Sequence, residues 1–112
     1  MKDLFEFSEL LDQYAELLTD HQREIACQYA YEDLSLFEIS ERTGISRQAV
    51  RDCLNKAEKT LRHYEAVLGL AEKNKKVSAA ADRIATCADA MADGALKAEL
   101  LAALERITET LD

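Results

Sequence analysis

Leu34-Ser35-Leu36-Phe37-Glu38-Ile39-Ser40-Glu41-Arg42-Thr43-Gly44-Ile45-Ser46-Arg47-Gln48-Ala49-Val50-Arg51-Asp52-Cys53-Leu54, continued through Asn55 to Leu61, is the stretch whose reading decides the fold. Ser35 is placed to cap a short helix, and Glu38 three residues later completes a capping box. Gly44 stands where the chain must leave that helix through a left-handed conformation, which glycine adopts without steric cost. Ser46 is the next N-cap, and Arg47-Gln48-Ala49-Val50 opens a second helix. Ile39, Ile45, Val50 and Leu54 are the apolar residues that lock the two helices together, and Ser40 is small where a large side chain would push them apart. The pattern predicts a helix-turn-helix over residues 35–64, the unit whose second helix enters a DNA major groove.

Outward from this motif the chain reads as helix nearly throughout. It has 112 residues, only three glycines, no proline and no tryptophan, and 48% hydrophobic residues. That suits one all-α domain with a modest core. Leu4, Phe7, Leu11, Tyr14 and Leu18, widened by Leu10 and Leu17, recur at the period of an amphipathic helix. Thr19 and Gln22 form a second capping box that begins another helix, with Ile25, Ala26, Tyr29 and Ala30 facing inward and Glu32-Asp33 stopping it. These two helices are expected to support the motif.

Beyond Ser46, residues Val50, Leu54, Ala57, Leu61, Tyr64, Leu68 and Ala71 follow a heptad seam. That seam predicts a helix running to about Lys73-Asn74-Lys75-Lys76, roughly 40 Å long at 1.5 Å per residue, with Gly69 tolerated inside it. Val77, Ala81, Ile84, Ala88, Met91 and Ala95 repeat the spacing after a cap at Ser78. Leu96, Leu100, Leu104, Ile107 and Leu111 form a further stripe after a break at Asp93-Gly94. The expected organisation is a helix-turn-helix domain over 1–72 and a C-terminal helical extension over 73–112. The extension is a candidate dimerisation element, and the overlong seam points to a homodimer.

No apolar run reaches the ~20 residues of a membrane span, and Met1-Lys2-Asp3-Leu4 does not open a secretory signal, so a cytoplasmic protein is expected. Cys27, Cys53 and Cys87 are odd in number and widely spaced, which suits small apolar side chains buried in a reducing compartment. His21 and His63 lie far apart in sequence, with no cysteine or acidic cluster at ligand spacing, and read as ordinary helix residues. With no phosphate loop and no nucleophile beside a base, neither catalysis nor a cofactor is expected.

Charge divides the chain unevenly. The net charge is −8, but residues 1–34 carry −7, residues 35–64 carry +2 and residues 65–112 carry −3. Only the helix-turn-helix is net positive. Arg47, Gln48, Arg51, Asn55 and Lys56 lie opposite its Ile45/Val50/Leu54 side, where they could face a groove. Arginine reads guanine, and Gln or Asn reads adenine, through paired hydrogen bonds. Ser46 and Arg42 are placed for phosphate contact. Glu6, Glu9, Asp12, Glu16, Asp20 and Glu24 make the N-terminal helices an acidic surface that would steer a cationic partner, with Glu9, Asp12 and Glu16 as the candidate contacts.

Four runs carry a family resemblance: Leu17-Leu18-Thr19-Asp20-His21-Gln22-Arg23, Tyr29 through Ser40, Gly44-Ile45-Ser46-Arg47-Gln48-Ala49-Val50, and Glu58-Lys59-Thr60-Leu61-Arg62-His63-Tyr64-Glu65. Together they resemble the YlxM family of small bacterial proteins, over about residues 4–70. Phe37, Arg51 and Asn55-Lys56 depart from the family's usual pattern, which has a small residue, an aromatic and two basic residues there. The resemblance implies a fold like region 4 of sigma factors. It also implies an accessory or regulatory role in the signal recognition particle pathway, because genes of this family typically neighbour the one for that particle's GTPase. Expected partners are therefore DNA or the signal recognition particle RNA, that GTPase, and a second copy of the chain. The alternative is a sequence-specific DNA-binding transcriptional regulator.

Overall fold

The computed structural model describes residues 3–111, and within them the chain is all-α. Six helices follow in order: α1 (Leu4–Tyr14), α2 (Asp20–Ala30), α3 (Leu36–Thr43), α4 (Arg47–Leu68), α5 (Leu70–Asp89) and α6 (Ala95–Leu111), with a 3-10 turn over Ala15–Leu17. They divide into two compact units, Met1–Ala71 and Glu72–Asp112.

In the first unit each helix start follows from its sequence. The Asp3 carboxylate accepts from the Glu6 amide at 3.1 Å to cap α1. Both capping boxes form: Thr19 with Gln22 on α2, and Ser35 with Glu38 on α3. Ser46 Oγ accepts from the Ala49 amide at 3.0 Å to cap α4. Gly44 takes φ +77° at the end of α3, the left-handed geometry its position demanded. The turn is also tied down by Ser40, whose hydroxyl donates to the Ile45 carbonyl at 2.6 Å. Small size therefore explains only half of why serine suits this position. After α2 the non-glycine Asp33 adopts φ +54°, and the Leu34 amide returns to the Gln28 carbonyl at 3.2 Å.

Phe7, Leu10, Leu11, Tyr14 and Leu18 form the core with Ile25, Ala26, Ile39, Val50, Cys53, Leu54, Ala57 and Leu61. Ile45, Tyr29 and Ala30 pack on its edge. The Phe7 and Tyr29 rings meet edge to face with centroids 6.5 Å apart. Leu4 and Leu17, expected in the buried stripe, are exposed instead. Leu4 stands in the first turn of α1, where the helix has only begun to meet its neighbours. Leu17 lies in the 3-10 turn, whose three-residue period rotates it off the α-helical stripe.

The long helix is shorter than the heptad seam implied. Gly69 takes φ +63° and its amide closes on the Glu65 carbonyl, so α4 ends at Leu68 after 22 residues. At 1.5 Å per residue that is about 33 Å. Two side chains hold the break. Tyr14 donates its phenol hydrogen to Glu65 Oε1 at 2.6 Å and accepts from the Leu70 amide at 3.0 Å, while the Ala71 amide donates to the same Glu65 oxygen at 3.0 Å. The first amides of α5, which have no intrahelical acceptor, are thereby satisfied. Burial pushes the Tyr14 phenol above its ordinary pKa, and its bond to Glu65 adds to the shift. The Tyr14 ring also stacks on Tyr64, with centroids 6.0 Å apart.

In the second unit, Lys73 through Lys76 lie inside α5, so this run does not break the helix, and Ser78 is mid-helix and caps nothing. The break at Asp93-Gly94 forms, but Met91 falls in the connection rather than on a helix. Of the described residues here, Ala81, Ala88 and Leu104 are buried. Among the cysteines only Cys53 is buried; Cys27 is half-buried and Cys87 exposed. Cys87 immediately precedes inward-facing Ala88 on α5, and adjacent helical positions do not share a face.

Candidate nucleic-acid interface

The face of α4 opposite Val50 and Leu54 is built by four-residue steps. Arg47, Arg51, Asn55 and Lys59 form one row, with Gln48, Asp52 and Lys56 beside it, and all seven are exposed. The structure thus brings together Arg47, Gln48, Arg51, Asn55 and Lys56 as the sequence suggested. Lys59 extends the row by one turn; counting four on from Asn55 would have found it.

Local contacts give these residues different freedom. The Arg47 guanidinium carbon lies 5.9 Å from the centre of the Phe37 ring, a cation–π distance that orients it across the turn. Phe37 is 55% exposed, so this contact lies at the surface. Gln48 Nε2 donates to Asp52 Oδ1 at 2.9 Å, which engages one of its amide hydrogens within the helix. Arg51 and Asn55 rim a cleft of about 430 Å³ floored by Tyr29, Leu36 and Leu54. Among the described residues Arg51 makes no hydrogen bond or ion pair. Asn55 and Lys56 border a second groove, of about 360 Å³, with Glu58, Lys59 and Arg62. There Arg62 is already engaged, at 2.7 Å from Glu6 on α1 and 3.0 Å from Glu58. Those two hydrogen bonds raise its pKa.

Ser46 spends its acceptor on the α4 cap, leaving the hydroxyl hydrogen free to donate to an anion. Arg42 stands apart on α3, its Nη1 2.8 Å from Glu32, so a phosphate would have to compete with that carboxylate. The helix end matters as much as the side chains. The first turns of α1, α2 and α3 carry Glu6, Asp20 and Glu38, whereas the first turn of α4 carries no acid and begins with Arg47. Its positive dipole end is therefore reinforced, which favours an anionic ligand there.

The acidic candidates are less free than their sequence suggested. Asp12 accepts a hydrogen bond from the Tyr31 phenol, whose pKa is raised chiefly by burial and then by that bond. Glu16 lies 3.6 Å from Arg23 Nη1, and Arg23 also reaches Asp20 at 2.7 Å. Glu9 is half-buried on α1. Glu9 and Asp12 are one turn apart on α1, whereas Glu16 lies in the 3-10 turn that follows it.

Comparison with known sequences identifies the family. The UPF0122 family, described as "Putative helix-turn-helix protein, YlxM / p13 like", matches residues 1–100. The chain belongs to the UPF0122 family. Among its relatives, the UPF0122 protein of Caldanaerobacter subterraneus subsp. tengcongensis is 48% identical over 88 residues, 78% of this chain and 75% of the relative. One from Clostridium novyi is 47% identical over 77 residues, 69% and 67% of the two chains. The protein of a Thermoanaerobacter species is 39% identical over 113 aligned residues, spanning 100% of this chain and 97% of its own. As a UPF0122 member the protein carries its helix-turn-helix on α3 and α4, and no described helix is long and apolar enough to cross a membrane.

Proposed function

We propose that the protein acts by binding rather than catalysis, as a cytoplasmic accessory or regulatory protein of the signal recognition particle pathway. Its nucleic-acid contact is the exposed face of α4. The observation that carries this reading is the acid-free, arginine-led N-terminus of α4 in a unit whose helices α1, α2 and α3 each carry a carboxylate in the first turn. Arg47 and the Ser46 hydroxyl hold phosphate there, with Arg42 at the periphery. Arg51, Asn55 and Gln48 contact bases, and Lys56 adds long-range attraction. The pathway assignment rests on the family resemblance. There the acidic side with Glu9, Asp12 and Glu16 would meet the particle's GTPase, and a second copy of the chain is the remaining partner.

The test is fluorescence anisotropy against duplex DNA and the particle's RNA across a salt series. Binding should weaken with salt, and Arg47→Ala should flatten the slope of log affinity against log salt by about 0.9 on duplex or 0.7 on single strands. Arg51→Ala should cost about 1–3 kcal/mol if it contacts a base. Absence of binding to either nucleic acid at low salt would end this reading. Preference for one duplex sequence over the RNA would favour the transcriptional regulator instead. Pull-down of the GTPase with and without nuclease separates direct protein contact from contact through RNA.

A further inference from the structure

The α5–α6 unit is short of buried apolar surface for its size. Among the described residues of this unit the buried side chains are Ala81, Ala88 and Leu104, two of them contributing a single methyl group. Beside them Val77 and Ile84 on α5, and Leu96, Leu101 and Ile107 on α6, are all between 37% and 70% exposed. Units near 40 residues rarely hold themselves together without a metal, a disulfide or oligomerisation. The unit's one cysteine, Cys87, cannot form a disulfide within it, and no cluster of metal-ligand residues exists among the described residues.

From this we infer that the open face of α5 and α6, edged by Val77, Ile84 and Ile107, is the surface on which a second copy of the chain docks. The inference rests on the proposal that a second copy is a partner, and it assigns the face. Three observations select this occupant over a foreign one. Val77 and Ile84 stand seven residues apart beside Ala81 and Ala88, and Leu100, Leu104, Ile107 and Leu111 keep the same four-three-four spacing. Paired with itself, such a surface gives the seam of a four-helix bundle. Charge is also permissive: residues 72–112 carry six basic and eight acidic residues, against −7 over residues 1–34, where like copies would repel. The area suffices as well. Two helix faces about 25–30 Å long and about 10 Å wide present roughly 500–600 Å² per copy, which reaches the ~1,000 Å² total of a specific interface.

The heptad seam of α4 does not serve this purpose. Val50, Leu54, Ala57 and Leu61 are buried within the first unit, and Gly69 ends the helix before the seam can extend. Self-association belongs to the C-terminal pair instead.

Light scattering on the nuclease-treated full chain, over a wide concentration range, tests this without reference to nucleic acid. The wild type should be a dimer whose thermal midpoint rises with concentration. Ile84→Glu and Ile107→Glu, both at exposed positions, should raise the dissociation constant at least about tenfold, because each buries an unpaired carboxylate in the interface. Phe5→Glu, at a 72% exposed apolar residue of α1, should leave the dimer intact. A monomeric wild type would overturn the second copy as a partner and the face with it. A dimer indifferent to both isoleucine variants, or one that Phe5→Glu dissociates equally, would overturn the face alone.

Discussion

The two units of this chain spend similar helical sequence in opposite ways. In the first, α1 to α4 surround one core whose Phe7, Leu11, Tyr14, Ile25, Ile39, Val50 and Leu61 are removed almost wholly from water. In the second, helices of 20 and 17 residues, longer than any in the first unit but α4, bury two alanines and one leucine among the described residues. Helix length and amphipathic pattern are therefore poor guides to how much a helix buries. What differs is how many elements converge on each apolar stripe: four in the first unit, two in the second.

The sharpest way to break this contrast is to empty both interiors. Ile39→Ala should destabilise the first unit by about 2–5 kcal/mol, since Ile39 is fully enclosed between the two helices of the motif. Leu104→Ala should fall at the low end of that range, because partly exposed neighbours leave less of a cavity. Urea unfolding followed by circular dichroism compares them, and equal losses would erase the contrast.

A smaller effect is expected where the first unit ends. Tyr14→Phe removes the hydroxyl that joins Glu65 to the Leu70 amide, at a cost of about 1–3 kcal/mol. Hydrogen exchange at the Leu70 amide should accelerate in this variant while exchange at Ile39 holds. Uniform acceleration would mean that the hydroxyl supports the whole core rather than the junction.

The smallest effect is pH-dependent and confined to the motif. Glu38 accepts from the Ser35 amide at 3.1 Å, which with the Ser35 hydroxyl contact holds its pKa below the ordinary 4.5. A depressed carboxylate contributes stability above its ordinary value and loses it as pH falls through the folded value. The start of α3 should therefore loosen as pH falls through the lowered Glu38 value, beneath the ordinary carboxylate range. Amide shifts of Ser35 and Glu38 would show it, and Glu38→Gln should remove most of the dependence.

Much of the site was legible in the chain because it depends on local rules. Ser35, Glu38, Gly44 and Ser46 act over three or four residues, and the row Arg47, Arg51, Asn55 follows from helical period alone. Contacts made at a distance were not legible. The Arg42–Glu32 pair, the Arg47–Phe37 contact and the Asp12–Tyr31 bond join different elements and decide which candidates remain free, whereas the Gln48–Asp52 pair is a four-residue step within α4.

Gly69 marks the same boundary from the other side. Its sequence context allowed a glycine inside a continuing helix at a cost of about 1 kcal/mol. Tyr14, 55 residues earlier, tips the balance by offering the Leu70 amide an acceptor only if the helix breaks there. The helix-turn-helix was thus determined by the sequence itself, through caps and a left-handed glycine that need no distant partner. The end of α4, the engagement of the acidic side and the open face of α5 and α6 were decided by tertiary structure. Each depends on which surfaces the fold brings within hydrogen-bonding or van der Waals reach, and no local pattern encodes that.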